Sequence, residues 1–230
     1  IERVQSPQVL NAVTEQMVLA IGLERTIEQL ARQASGQRTA WVEMTMAQLQ
    51  IRSHNYANAL SLLEKVDSRL ASDATERLVY NRFLAIVQHE TGDLEAAKTT
   101  YERLLKANPN DLTTLNNLGF ILANDLNDAE RGLKFAARAV SLAPNNATIL
   151  DTLGWTQFKS GRLEEAQGTL EQSVELQPGA ANCLHLAQAL LQRDDNARAS
   201  ELLKSATQLA EQTGNTTLLK QARQLLQTLE

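Results

Sequence analysis

Residues 153–178 read LGWTQFKSGRLEEAQGTLEQSVELQP, two helix-forming runs separated by a glycine and ended by a proline. Leu150, Leu153, Gly154 and Gln157 share one face of a first helix, and Ala166, Leu170 and Ser173 share one face of a second. Gly161, between them, is free to take the positive φ of a tight turn. Glycine and alanine on facing stripes let two backbones approach closely. Pro178 stops the second helix because it has no amide donor and clashes one turn back. The stretch specifies a helical hairpin.

The same order of small residues, turn and stop recurs along the chain. Upstream stand Leu118-Gly119, a turn at residues 124–127, Gly132 at the crossing and Pro144 at the stop. Before that come Leu84-Ala85, Gly92, Ala97 with Tyr101, and Pro109. The first copy is the least regular: Trp41 to Arg52 predicts a helix, Ser53-His54-Asn55 a turn and residues 56–70 its partner, with Met46-Ala47 in place of Leu-Gly and Ala59 at the crossing. Downstream, Leu186-Ala187, Asp194-Asp195 and Ala199 form a fifth copy whose second helix runs on to Gln212. The three stop prolines Pro109, Pro144 and Pro178 are 35 and 34 residues apart.

Two segments flank the copies. Residues 6–34 are amphipathic, with Leu10, Val13, Met17, Ile21, Ile27, Leu30 and Ala34 at helical spacing, and predict one long helix or two short ones. This segment, within residues 1–37, is expected to cap the array or to carry self-association. After Thr213-Gly214-Asn215, residues 216–230 set Leu218, Leu219, Ala222, Leu225, Leu226 and Leu229 against a polar back, as a stacked array requires at its end.

These copies resemble tetratricopeptide repeats, whose period is 34 residues. The match covers residues 38–213 and is sharpest over residues 81–178, although Leu115, Leu150 and Cys183 stand where the family often has tryptophan, and Gln88 and Gln157 where it often has tyrosine. The resemblance implies an all-α, right-handed α-solenoid of about five helix-turn-helix repeats with helical ends. It further implies a scaffold holding a peptide or partner protein in a concave groove.

In such a fold the first helix of each hairpin lines the groove, and the residues one step around from the core stripe face it. That row is Trp41, Met44 and Gln48 in the first copy; Arg82, Ile86 and His89 in the second; Asn116, Phe120 and Ala123 in the third. In the fourth it is Asp151, Trp155 and Phe158, and in the fifth Leu184, Gln188 and Leu191. Trp155 and Phe120, one repeat apart, are expected to stand as exposed anchors, flanked by Arg82, His89, Asn116 and Asp151. Some members of the family clamp a carboxylate chain end with lysine, arginine and asparagine. Here Arg82 and Asn117 fall at comparable places, but Ile86, Thr148 and Thr152 replace the other partners, so that clamp is not expected.

Composition narrows the function class. A net charge of −5 over 230 residues leaves no basic stripe for nucleic-acid phosphates. No apolar run nears the length of a membrane span, so direct membrane insertion is not expected. The single cysteine, Cys183, excludes an internal disulfide framework, and the start at Ile1 suggests a piece of a longer chain whose upstream residues are unseen. His185 and Cys183 lie two apart on one helix and point to different sides, and Asp125, Asp128, Asp194 and Asp195 sit where helix capping accounts for them. No metal-ligand spacing or phosphate-binding glycine loop occurs. The expected function is a non-catalytic interaction scaffold without a cofactor. The alternative is a homo-oligomerising structural module or a scaffold subunit of a larger assembly.

Overall fold

The computed structural model describes residues 7–33, 40–67, 70 and 75–229. Among them are thirteen α-helices and no strand: α1 (Pro7–Ile21), α2 (Leu23–Gln33), α3 (Ala40–Arg52), α4 (Tyr56–Asp67), α5 (Thr75–Glu90), α6 (Leu94–Ala107), α7 (Leu112–Asn124), α8 (Ala129–Leu142), α9 (Ala147–Lys159), α10 (Leu163–Leu176), α11 (Ala180–Leu191), α12 (Asn196–Thr213) and α13 (Thr216–Gln227). Of the amino-terminal segment, residues 35–37 lie outside the described residues, as do Ser6 and Ala34. No described helix is long and apolar enough to cross a membrane. The chain divides into two compact units, residues 1–107 and 108–230.

In the first unit the amino-terminal segment is two helices. Gly22, at φ +84°, turns the chain between α1 and α2, a backbone region closed to most side chains. From α2, Leu30 enters the core that Met44, Leu49 and Leu63 of hairpin α3–α4 share with Tyr80 and Val87 of α5. Met46 and Ala47, the irregular substitutes in the first copy, and Ala59 at its crossing are all buried, so small or flexible residues there still allow the helices to cross. In the next hairpin Ala85, Ala97 and Tyr101 fill the crossing of α5 with α6.

The second unit stacks hairpins α7–α8, α9–α10 and α11–α12 in succession, with α13 against α11 and α12. Side-chain oxygens of Asp111, Asn146 and Asn215 cap α7, α9 and α13, each accepting the amide of the third helical residue. Asp128 and Asp195 cap α8 and α12 in the same way, as their placement predicted. Asp125 instead follows α7 as its carboxy-terminal cap, and Asp194 takes a left-handed φ of +61° in the turn before α12.

Two crossings show why the small residues recur. A Cβ added at Gly132 would stand 2.7 Å from the Gly119 carbonyl oxygen, and one added at Gly154 would stand 2.6 Å from Cγ of Leu170. A polar seam joins the next layer: buried Ser173 donates to the Ala147 carbonyl (2.8 Å) and accepts from Asn182 Nδ2 (2.9 Å). Asn182 also donates to the Gln177 carbonyl (2.9 Å) and accepts the Gly179 amide (2.8 Å), which fixes the start of α11 against the end of α10.

The crossings predict opposite effects for two glycine-to-alanine changes. Gly132→Ala meets main-chain atoms that cannot rotate away and is expected to cost about 1–3 kcal/mol. Gly168→Ala, at a helical position where an added Cβ meets nothing within 4 Å, is expected to stabilise by about 0.5–1 kcal/mol. Denaturant midpoints read both, and equal midpoints would contradict this crossing.

Candidate functional site

The first helices α7, α9 and α11 lie side by side in the second unit and present one continuous face. Four residues of the expected row meet there around a residue outside it, His185. Its Nδ1 lies 2.8 Å from Asp151 Oδ1, and because a carboxylate only accepts, the proton of that bond sits on Nδ1. The His185 ring stacks on Trp155 with centroids 4.2 Å apart and planes 18° from parallel. Phe158 stacks on Trp155 at 5.0 Å, and Phe120 approaches His185 at 6.4 Å. Trp155 Nε1 donates to Asn124 Oδ1 (3.0 Å), and Lys159 Nζ lies 5.7 Å from the indole centroid, within cation–π range.

Trp155 therefore differs from the expected exposed anchor. Only 7% of it is exposed. His185, Phe158 and Asn124 cover the indole because the neighbouring helices on both sides contribute to its surroundings. Phe120 and Phe158 remain half-buried on the face, and Asn116 beside them is half-buried too. Met44, Ala123 and Leu184 of the row are buried as well, Leu184 in the core cluster against which Leu218, Leu225 and Leu226 of α13 pack.

Trp41, Arg82 and His89 belong to the first unit. Trp41 packs half-buried on the core that Leu30 shares and donates from Nε1 to Glu76 Oε1 (3.1 Å). Arg82 and His89 are half-buried on α5. Asn116, Phe120, Asp151, Trp155 and Phe158 form the grouping within the second unit.

His185, Asn124 and Lys159 were missed as site residues. The signal for His185 lay in the repeat length: it is 34 residues from Asp151, which sets the two on neighbouring first helices. The two-residue spacing from Cys183 on the same helix carries no such signal. The Cys183 thiol is pushed up from its ordinary pKa by burial, opposed by the Gly179 amide and assisted by the Asp151 charge, the reverse of what an activated nucleophile needs. Two side-chain acceptors of the row, Asn116 Oδ1 and Gln188 Oε1, are buried without a hydrogen-bond partner among the described residues.

A family model described as tetratricopeptide repeat matches residues 84–147 and 152–213, more than half of the chain. A TPR repeat-containing protein of Pseudomonas aeruginosa is 25% identical over 111 residues, which are 48% of this chain and 18% of that protein. The chain thus spans about a fifth of the length of this relative. Among solved structures, a thermophilic TPR protein of Thermus thermophilus superposes with a TM-score of 0.68 at 18% identity, covering 82% of this chain and all of that one. PilW, a type IV pilus biogenesis factor, gives 0.63 at 16% identity over 82% of this chain and 92% of its own. MamA of Desulfovibrio magneticus gives 0.58 at 22% identity, over 75% and 96%. These likenesses establish a shared fold.

The burial of Trp155 changes the expected result of truncating it. Trp155→Ala removes a ring packed on two others and is expected to cost about 3–5 kcal/mol of stability. Trp155→Phe keeps an aromatic ring but loses the Asn124 bond, at about 0.5–1.5 kcal/mol. Thermal and denaturant unfolding measure both, and an unchanged midpoint for Trp155→Ala would show the indole to be free at the surface.

Proposed function

Since the chain belongs to the tetratricopeptide repeat family, we propose that it is a non-catalytic scaffold whose first-helix face on α7, α9 and α11 binds a segment of a partner protein. The observation that supports this most is the pairing of half-buried Phe120 and Phe158 with Asn116 and Asp151 on that face. Apolar rings anchor a segment, and flanking amide and carboxylate groups select its direction and register. The stacked rings of Trp155 and His185 lie between the two phenylalanines and hold their backing rigid, so binding spends little free energy on ordering the surface. Trp41, Arg82 and His89 are proposed as contacts of the first unit with a partner.

Peptides selected by display on the whole chain give the test. Phe120→Ala and Phe158→Ala are each expected to weaken a selected peptide about thirtyfold, the size of an interface anchor. Gln172→Ala, on the exposed side of α10, is expected to change nothing. Loss of affinity through Gln172 with Phe120 and Phe158 indifferent would place binding on the second helices.

A second reading, self-association, has its own observation. On α1, Val13, Leu19 and Ile21 are exposed, Leu19 to 79%. Apolar residues so placed favour contact with another copy. Under this reading light scattering gives a mass above that of one 25.4 kDa chain, and Leu19→Ser returns it to that value. A monomer at all concentrations removes the reading.

A further inference from the structure

Asp151 is 9% exposed, yet only one of its oxygens is used. Oδ1 accepts from His185, while Oδ2 has no hydrogen-bond partner among the described residues. An ionised carboxylate has about four lone-pair positions, so Oδ2 can accept from a ligand while Oδ1 keeps its bond to His185.

That carboxylate lines a pocket of about 320 Å³ whose walls include Thr148, Asn182, Leu218 and the loop at Pro178. Asp151 is the one charged residue among those lining it. The amino-terminal turn of α11, Ala180 and Ala181, forms another part of the wall and contributes the positive end of a helix dipole, roughly half a charge. A full negative charge on Asp151 outweighs it, so the pocket favours a cation over an anion. Its volume lies at the lower end of the roughly 300–1,000 Å³ of small-ligand sites, room for one long side chain. Ala147, Ala180, Ala181 and Leu218 offer apolar wall for methylene groups.

We infer that this pocket receives a cationic side chain, lysine or arginine, of the segment bound on the first-helix face: the aliphatic stem lies along Leu218 and the alanines, and the charged head donates to Asp151 Oδ2. The inference rests on the groove reading above and adds the partner's chemistry to it. His185 acts as a positioning residue. By engaging Oδ1 from the Trp155 stack it fixes the carboxylate's rotation and leaves Oδ2 for the ligand.

The test uses single-residue probes, so that it does not depend on a groove-filling partner. The ¹⁵N-labelled whole chain is titrated with the N-acetyl methylamides of lysine, arginine and norleucine, the last being an uncharged stem. Saturable shifts at the amides of Asp151, Ala181 and Asn182 are expected from the lysine or arginine probe, and their relative affinities tell which head fits. The norleucine probe is expected to bind at least about tenfold more weakly. Asp151→Asn is expected to lower the cationic probe's affinity by a similar factor. Thr148→Lys, one turn before Asp151 and exposed, is expected to supply a tethered competitor and abolish the response. Circular dichroism confirms folding of both variants. Equal binding of norleucine, unchanged binding in folded Asp151→Asn and Thr148→Lys, or no response to either cationic probe overturns the inference. Such a failure, with selected peptides still binding through Phe120, removes the pocket and leaves the groove reading in place.

Discussion

The order of the second unit rests on how closely its hairpin helices cross. The Gly132 position has room for no Cβ before the Gly119 carbonyl, and the Gly154 position none before Leu170. Helices that cross this closely are fixed in rotation about their own axes, because side chains on either side of the contact must interleave without adjustment. Fixed rotation determines which residues of α7, α9 and α11 reach the shared face. Asp151 of α9 meets His185 of α11 in the rotation that the Gly154 crossing fixes, while Phe158 meets Trp155 three residues away on α9 itself.

The face has a division of labour set by burial. Trp155 and His185 form its backing, with each polar atom of the indole and the Nδ1 atom of the imidazole assigned a partner. Phe120, Phe158 and Asn116 stand outside this layer, half-buried. Asp151 bridges the two roles, one oxygen engaged within the protein and one facing no donor. In the proposed reading that free oxygen serves recognition, since a partner that donates to it is distinguished from those that do not. The polar seam of Ser173 and Asn182 serves the same end, setting the start of α11 and with it a wall of the adjoining pocket.

The hairpins were legible in the sequence because their determinants are local. Gly161 takes φ +81° in the turn where it was expected, Ala97, Ala166 and Ala199 are fully buried at the crossings, and Gly132 is buried at its own. The family match and the fold follow from the same periodic residues. Legibility fell where a side chain's surroundings come from two neighbouring copies at once. Trp155 reads as exposed when only its own hairpin is considered, and its burial arises from Asn124 before it and His185 after it. Likewise Leu184 keeps the phase of the row but is packed into the cluster that α13 joins, which no internal repeat could reveal. The break at Gly22 stayed open for a related reason, since helical spacing on both sides is compatible with a continuous helix and only the left-handed φ decides.

Whether the first-helix face of the second unit is the recognition surface is tested most directly by a map of side-chain contacts with a display-selected peptide bound. Intermolecular nuclear Overhauser effects from aromatic-labelled whole chain report which rings touch the peptide. Peptide contacts are expected at Phe120 and Phe158, with the Trp155 indole silent behind them. Contacts confined to Phe135 of α8, or to Tyr side chains of the first unit, would contradict it.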